Sequence, residues 1–241
     1  MKHQDLLNKM TLDEKAAILS GMTEWETRNI DRLNIPSMFC SDGPHGIRKQ
    51  EGDGDHLGLN ASVPATCFPT AATVANSWDP ELGEEIGKAL GEEAVALNVN
   101  VILGPGLNVK RNPLCGRNFE YFSEDPYLAG KMAASYIKGI QSKGVAACPK
   151  HYAVNSQELR RMASDSVLDE RTLREIYLTN FEIAVKEGNA KAIMSAYNQV
   201  NEVYANENKH LLQDILRDEW GFDGIVITDW GASNDHTAGV A

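Results

Sequence analysis

An α/β fold built on a parallel sheet is predicted by two patterns that interleave along the chain. Short apolar segments at residues 37–40, 73–75, 99–103, 145–148, 192–195 and 225–228 lack the alternation of a half-exposed strand, as parallel strands covered on both faces do. Helix starts lie between them, and strand followed by helix without hairpin signals gives a parallel sheet. A third observation selects the architecture. Nearly every apolar segment ends in a turn loaded with polar groups, and a closed barrel gathers side chains from many strand ends onto one face, whereas an open sheet concentrates them at one switch point. The expectation is therefore a TIM-type (β/α)8 barrel, incomplete here, with about six strand–helix units in a single domain spanning residues 1–241.

The helix starts have local causes. In Thr11-Leu12-Asp13-Glu14 the Thr hydroxyl and the Glu carboxylate each satisfy an orphan backbone N–H, a capping box that opens a helix to about residue 20. Asp79-Pro80 and Asp125-Pro126 place an acceptor at the N-cap and a proline at the first helical position, opening helices toward residues 97 and 141. Asp169 opens another through residue 185, and a last helix covers about 208–220. The Gly-rich stretch 51–58 reads as a polar surface loop near the barrel mouth.

Composition restricts the function classes. Hydrophobic residues make up 42% and charged residues 24% of the chain, as in ordinary soluble domains. The net charge of −11 is spread along the chain, which argues against a nucleic acid or an anionic membrane as partner. No apolar stretch approaches the roughly 18 residues of a membrane span, and the first residues lack an apolar signal core, so a cytoplasmic protein is expected. Cys40, Cys67, Cys115 and Cys148 are widely spaced and read as free thiols. No P-loop, dinucleotide glycine fingerprint or H-E-x-x-H helix occurs, so no cofactor or metal is implied.

The loaded turns carry the chemistry. They are Ser41-Asp42-Gly43-Pro44-His45-Gly46-Ile47-Arg48, Gly104-Pro105-Gly106-Leu107-Asn108, Lys150-His151, Tyr197-Asn198 and Asp229-Trp230, and eleven residues after Trp230 the sequence stops. A strand-end carboxylate such as Asp229 serves equally well as a helix N-cap when taken alone. Lys150-His151 at the end of an apolar segment, and Tyr197 two residues beyond Ser195, would stand on the same face. Between residues 104 and 126 a long loop presents arginines and acids, of which Glu120, Glu124 and Asp125 read as loop organisers and a helix cap.

These motifs, in this order, resemble the N-terminal barrel of glycoside hydrolase family 3, the β-glucosidase family. The likeness runs from Leu12-Asp13-Glu14-Lys15 through Ser41-Asp42-Gly43-Pro44-His45-Gly46, Gly116-Arg117-Asn118-Phe119-Glu120, Lys150-His151-Tyr152 and Met194-Ser195-Ala196-Tyr197-Asn198 to Thr228-Asp229-Trp230-Gly231. The resemblance implies a retaining glycosidase whose nucleophile is Asp229. It places sugar contacts on Asp42, Arg48, Arg117, Lys150, His151, Arg161 and Tyr197, with Met194 and Trp230 as apolar wall. Arg48 and Arg161 read equally as structural ion-pair partners, and Met194 as core. Cations around Asp229 would hold it ionised, and Trp230 offers a flat face to a pyranose.

The sequence departs from that pattern in one respect. Retaining hydrolysis needs a second carboxyl roughly 5 Å from the nucleophile, which most of the family draws from a following domain. The loop after Lys150-His151 also lacks the Gly-His-Gly acid of the N-acetylglucosaminidase relatives. The expected partners are thus a β-glucoside or oligosaccharide and a C-terminal segment or complementary chain that supplies the acid. Other readings are a catalytically inactive fragment or carbohydrate-binding module, a β-xylosidase or other β-glycosidase of the same family, and an aldolase using Lys150 as a Schiff base. Asp42 favours a hexose over a pentose.

Overall fold

The computed structural model describes residues 3–52, 54, 55 and 59–240; of the stretch 51–58, residues 53 and 56–58 lie outside that set. In chain order the helices are α1 (Gln4–Lys9), α2 (Leu12–Ile18), α3 (Ala71–Ala75), α4 (Pro80–Ala96), α5 (Pro126–Gln141), α6 (Glu170–Thr172), α7 (Thr179–Lys186) and α8 (His236–Val240). The strands are β1 (Cys40–Ser41), β2 (Val101–Ile102), β3 (Ala146–Ala147), β4 (Lys150–Tyr152), β5 (Asp165–Ser166), β6 (Ala192–Ser195), β7 (Gln199–Val200), β8 (Val203–Tyr204) and β9 (Ile225–Thr228). Wider π-type helical segments, Leu173–Leu178 and His210–Glu219, complete the helix after Asp169 and the one before β9.

The caps act as the sequence predicts. Thr11 accepts from the Glu14 N–H while Glu14 accepts from the Thr11 N–H. Asp79 accepts from Glu81 and Leu82, Asp125 from Leu128 and Asp169 from Thr172. Between α4 and α5 the backbones lie almost in contact: a Cβ at Gly87 would stand 2.3 Å from the Tyr136 carbonyl oxygen, and one at Gly139 2.3 Å from that of Glu84. Glycine is needed there for close approach, since any side chain would force the two helices apart.

Two three-stranded parallel sheets, β1-β2-β3 and β4-β6-β9, form the α/β framework. They meet where one run of chain, Ala146 to Tyr152, passes from β3 to β4. The Cys148 N–H still donates to Ile102, and the Pro149 carbonyl accepts from Met194 on β6. Alternate residues divide between two cores. Cys40, Val101, Leu103, Cys148, Ala192 and Met194 pack with Trp25 on the inner side. Ile102, Ala147 and Ile193 pack on the outer side with helix residues Leu90, Met132, Ile137 and Phe181. Strands covered on both faces account for the continuous apolar runs in the sequence.

Three expectations change. Residues 73–75 belong to α3, not to a strand: Thr70 caps the segment and Ala71, Val74 and Ala75 bury one helical face. Lys150-His151 lies within β4 instead of a turn. A hairpin joins β7 to β8, which pair antiparallel, and Asn201 and Glu202 take the positive φ values (51° and 73°) that a tight hairpin turn demands. Among the described residues no pairing joins β9 back to β1, so the parallel strands form an open arc and not a closed barrel.

Candidate active site

The C-terminal ends of the framework strands converge on a cleft of about 130 Å3 lined by Trp25, Asp42, Leu103, Arg117, Lys150, Arg161, Met194, Tyr197, Asp229 and Trp230. Asp229 follows β9 and is 8% exposed. Its two carboxylate oxygens differ in kind. Oδ1 accepts from the Trp230 N–H at 2.8 Å, whereas Oδ2 has no hydrogen-bond partner, with His151 Nε2 at 3.5 Å and Arg117 Nη1 at 4.0 Å. One oxygen is tethered and the other is buried without a hydrogen-bond partner.

His151 stands behind the cleft. Asn108 grips its peptide from both sides, its Nδ2 donating to the His151 carbonyl at 2.9 Å and its Oδ1 accepting from the His151 N–H at 2.8 Å. Nδ1 faces the Tyr121 hydroxyl at 3.2 Å, while Nε2 is buried without a partner. Burial, joined by Arg117, Lys150 and Arg161, pushes the imidazole well below its usual range, so the ring is neutral. The tautomer that serves both sides has Nε2–H aimed at Asp229 Oδ2 and Nδ1 accepting from Tyr121.

Lys150, on β4, is buried with compensation: its Nζ is 3.0 Å from Asp42 Oδ1 and 3.8 Å from Glu120 Oε2. Glu120, 4% exposed, also accepts from Arg117 Nε. One buried glutamate thus holds two of the cleft's cations in place. Arg48 pairs with Asp42 Oδ2 at 3.1 Å from outside the cleft, the ion-pair alternative for that residue. Arg161 pairs with Glu158 at 2.7 Å yet also lines the cleft, its guanidinium 4.4 Å above the Tyr197 ring. The Tyr197 hydroxyl donates to the Trp230 carbonyl at 2.7 Å, and Met194 is both inner core and cleft wall.

The two cleft aspartates titrate in opposite directions. Burial works against ionisation at Asp42, but Lys150, Arg48 and Arg117 outweigh it and hold the carboxyl below its usual value. At Asp229 burial wins over Arg117, Lys150, the Trp230 N–H and Arg161, so its pKa is raised. That corrects the expectation that neighbouring cations set the balance at Asp229: at 4.0 Å and no direct hydrogen bond, they are too distant to cancel the loss of water.

Sequence reasoning missed Trp25 and Leu103. Trp25 packs on Trp230 with ring centroids 5.2 Å apart, its Nε1–H held by Gln50 at 2.7 Å, while Trp230 donates to the Glu24 carbonyl at 2.8 Å. The N-terminal segment therefore closes one side of the cleft, a contact across some two hundred residues that no local pattern announces. Among the described residues no group of His, Cys, Asp or Glu is arranged to hold a metal ion, and no helix is long and apolar enough to cross a membrane.

Residues 11–238 match the profile of the glycosyl hydrolase family 3 N-terminal domain. The chain belongs to that family. It is 57% identical over 235 residues to thermostable beta-glucosidase B of Acetivibrio thermocellus, a match covering 98% of this chain and 31% of the relative. It is 50% identical to an exo-alpha-(1->6)-L-arabinopyranosidase of Bifidobacterium longum, covering 95% of this chain and 30% of that protein. Among solved structures, beta-glucosidase 3B from Thermotoga neapolitana in complex with glucose superposes with a TM-score of 0.93 at 42% identity, over 100% of this chain and 35% of that one. The Kluyveromyces marxianus beta-glucosidase, also with glucose, gives 0.94 at 44%, over 100% and 28%. The chain thus spans about a third of the length of its family 3 relatives.

The cleft predicts two measurable effects. Asp42→Ala and Lys150→Ala each remove one member of the ion pair that lines the cleft, and both are expected to weaken glucose inhibition as well as turnover in an active form. Glucose inhibition unchanged in both variants would contradict the expectation that they bind sugar hydroxyls. The neutral, buried His151 also imposes a pH dependence on folding. With its folded pKa lowered from 6.5, the unfolded chain binds the extra proton, so the stability present above pH 6.5 declines as pH falls toward the depressed folded value. Denaturant titrations in that window should show a flatter slope for His151→Gln than for the parent, and equal slopes would refute the assignment.

Proposed function

We propose that this chain is the nucleophile-bearing part of a retaining β-glucosidase that acts on terminal, non-reducing β-D-glucosyl residues. The observation that carries the reading is Asp229, a strand-end carboxylate with one oxygen unpartnered, which lines a cleft together with Asp42, Arg117, Lys150 and Arg161. The Asp229 carboxylate attacks the anomeric carbon, the bond from that carbon to the leaving oxygen breaks, and the leaving oxygen takes a proton from a general acid outside residues 1–241. Water, deprotonated by the same group, then displaces Asp229 and releases the sugar with its configuration retained. Neutral His151 directs an N–H toward the Asp229 carboxylate and so orients the nucleophile, which receives its charge again when the ester is hydrolysed, without competing for the proton. Asp42 with Lys150 accepts from and donates to the sugar hydroxyls. Trp230, braced by Trp25, supplies the apolar face under the ring.

Glucose is favoured by the two glucose-bound relatives with TM-scores of 0.93 and 0.94. A second reading, removal of α-L-arabinopyranosyl units, is supported by the 50% identity to the Bifidobacterium longum enzyme. The expected localisation of the whole protein remains the cytoplasm. A form of the protein long enough to include the acid should hydrolyse an aryl β-glucoside faster than an aryl α-L-arabinopyranoside. Proton NMR of the first turnover should show β-glucose; α-glucose appearing first would eliminate the retaining mechanism.

A further inference from the structure

The two cationic or N–H-bearing groups that face Asp229 Oδ2, His151 at 3.5 Å and Arg117 at 4.0 Å, are each held from behind by one of two consecutive residues. Glu120 accepts from Arg117 Nε, and the Tyr121 hydroxyl lies 3.2 Å from His151 Nδ1. Tyr121 is fully buried, and Gly106 bridges its backbone to that of Lys150 on β4. Its ring meets the imidazole edge to face, with centroids 6.2 Å apart. Neither Glu120 nor Tyr121 lines the cleft, so each acts through the group it holds.

A phenol has one hydrogen to give, and two acceptors compete for that of Tyr121: His151 Nδ1 at 3.2 Å and the Asn155 carbonyl at 3.4 Å. The Asp229 carboxylate decides between them. If the hydroxyl turned to the carbonyl, Nδ1 would have to carry the imidazole proton, and a bare Nε2 would confront the carboxylate, acceptor against acceptor, in the buried interior. Asn155 supplies the other half of the arrangement. Its Nδ2 donates to Glu158 Oε1 at 3.1 Å, which fixes the way the amide faces, and to the Tyr121 oxygen at 3.4 Å, which leaves the hydroxyl hydrogen for Nδ1. A chain of hydrogen bonds thus runs from Glu158 through Asn155 and Tyr121 to His151, the last three all buried.

We propose that Tyr121 is a positioning residue for the nucleophile: its hydroxyl, oriented by Asn155, holds the His151 ring so that Nε2–H points at the Asp229 carboxylate and fixes that carboxylate's rotation. Tyr121 itself touches no sugar and transfers no proton. Burial pushes its phenol well above the usual range, so the donor is present throughout the neutral pH range. The proposal deepens the glycosidase reading and rests on Asp229 as its nucleophile. Without the hydroxyl, buried Nδ1 loses its donor, the ring is free to tilt, and the carboxylate loses its brace.

The test uses a form of the protein long enough to include the general acid. Tyr121→Phe keeps the ring and its packing but removes the hydroxyl. Covalent inactivation by a 2-deoxy-2-fluoro-β-glucoside with a good leaving group reports on the nucleophile with little help from the acid, and its rate constant should fall by about 10- to 10²-fold, the scale on which misplaced reacting groups are felt. Inhibition by glucose should stay unchanged. In nitrogen NMR spectra of enzyme labelled in its histidine rings, assigned by the signals lost in His151→Gln, the parent should show a protonated Nε2 and a hydrogen-bonded Nδ1, and Tyr121→Phe should lose the bond at Nδ1. Asn155→Leu leaves the hydroxyl but removes the donor that orients it. It should slow inactivation in the same direction, and the double variant should be no slower than Tyr121→Phe alone, because both residues act through one chain. A parent His151 protonated on Nδ1, an unchanged inactivation rate in Tyr121→Phe, a parallel loss of glucose inhibition, or a double variant in which the two losses add would each overturn the proposal. A parent with the stated His151 bonds in which no label reaches Asp229 would instead overturn the glycosidase reading and leave the hydrogen-bond chain standing.

Discussion

Asp229→Asn is expected to lower kcat of the complete enzyme on the order of 10⁴-fold or more, the scale on which nucleophile removal acts elsewhere, with glucose affinity largely kept. The amide preserves the shape and the contact to the Trp230 N–H but cannot form the glycosyl ester. The same substitution should raise stability at neutral pH. Burial lifts the Asp229 pKa above 3.8 in the folded state, so its favourable contribution is complete only below that value and is lost as pH rises through the folded value. At neutral pH the parent carries a desolvated charge that the variant lacks. A variant equal to or less stable than the parent at pH 7, yet stabler than it in acid, would reverse the sign and show that the cations around Asp229 outweigh burial.

Residues 1–241 alone are expected to show no meaningful glucosidase activity. Among the described residues no group in the cleft is placed to act as the general acid: Asp42 is held ionised between Lys150 and Arg48, Glu120 is bound to Arg117 and Lys150, and His151 is neutral with its pKa depressed. Losing general acid help typically costs roughly 10²- to 10⁴-fold. The edge of β9 adds a physical liability. β9 pairs with β6 on one side and with no strand on the other among the described residues, and Ile225 is 48% exposed, so the edge invites association with another chain. Turnover of an aryl β-glucoside, followed together with light scattering, checks both points. A monodisperse 241-residue monomer with robust turnover would refute them together.

What the sequence revealed and what it concealed divide along physical lines. The starts of α2, α4, α5 and the helix after Asp169 were legible because a cap is settled by two or three adjacent residues. Residues 73–75 were not, since a short Ala- and Val-containing stretch has no period of its own and only the Thr70 cap and the buried face of α3 decide it. The β7–β8 hairpin was hidden because its turn uses Asn201-Glu202 where glycine is the usual signal. At the site, eight of the ten residues the sequence nominated line the cleft, while Arg48 and His151 stand behind it as supports. Trp25, the anchoring role of Glu120 and the upward pKa of Asp229 all depend on burial and long-range contact, which composition and spacing do not encode.

Formation of the covalent bond to sugar on Asp229 is the proposed step on which the chemistry depends. It is tested most directly by incubating the complete enzyme with a 2-deoxy-2-fluoro-β-glucoside carrying a good leaving group, then digesting it and mapping the labelled peptide by mass spectrometry. The adduct should fall on Asp229, and the Asp229→Asn protein should take up no label. An adduct on Asp42, Glu120 or any other residue, with Asp229 unmodified, would contradict the account.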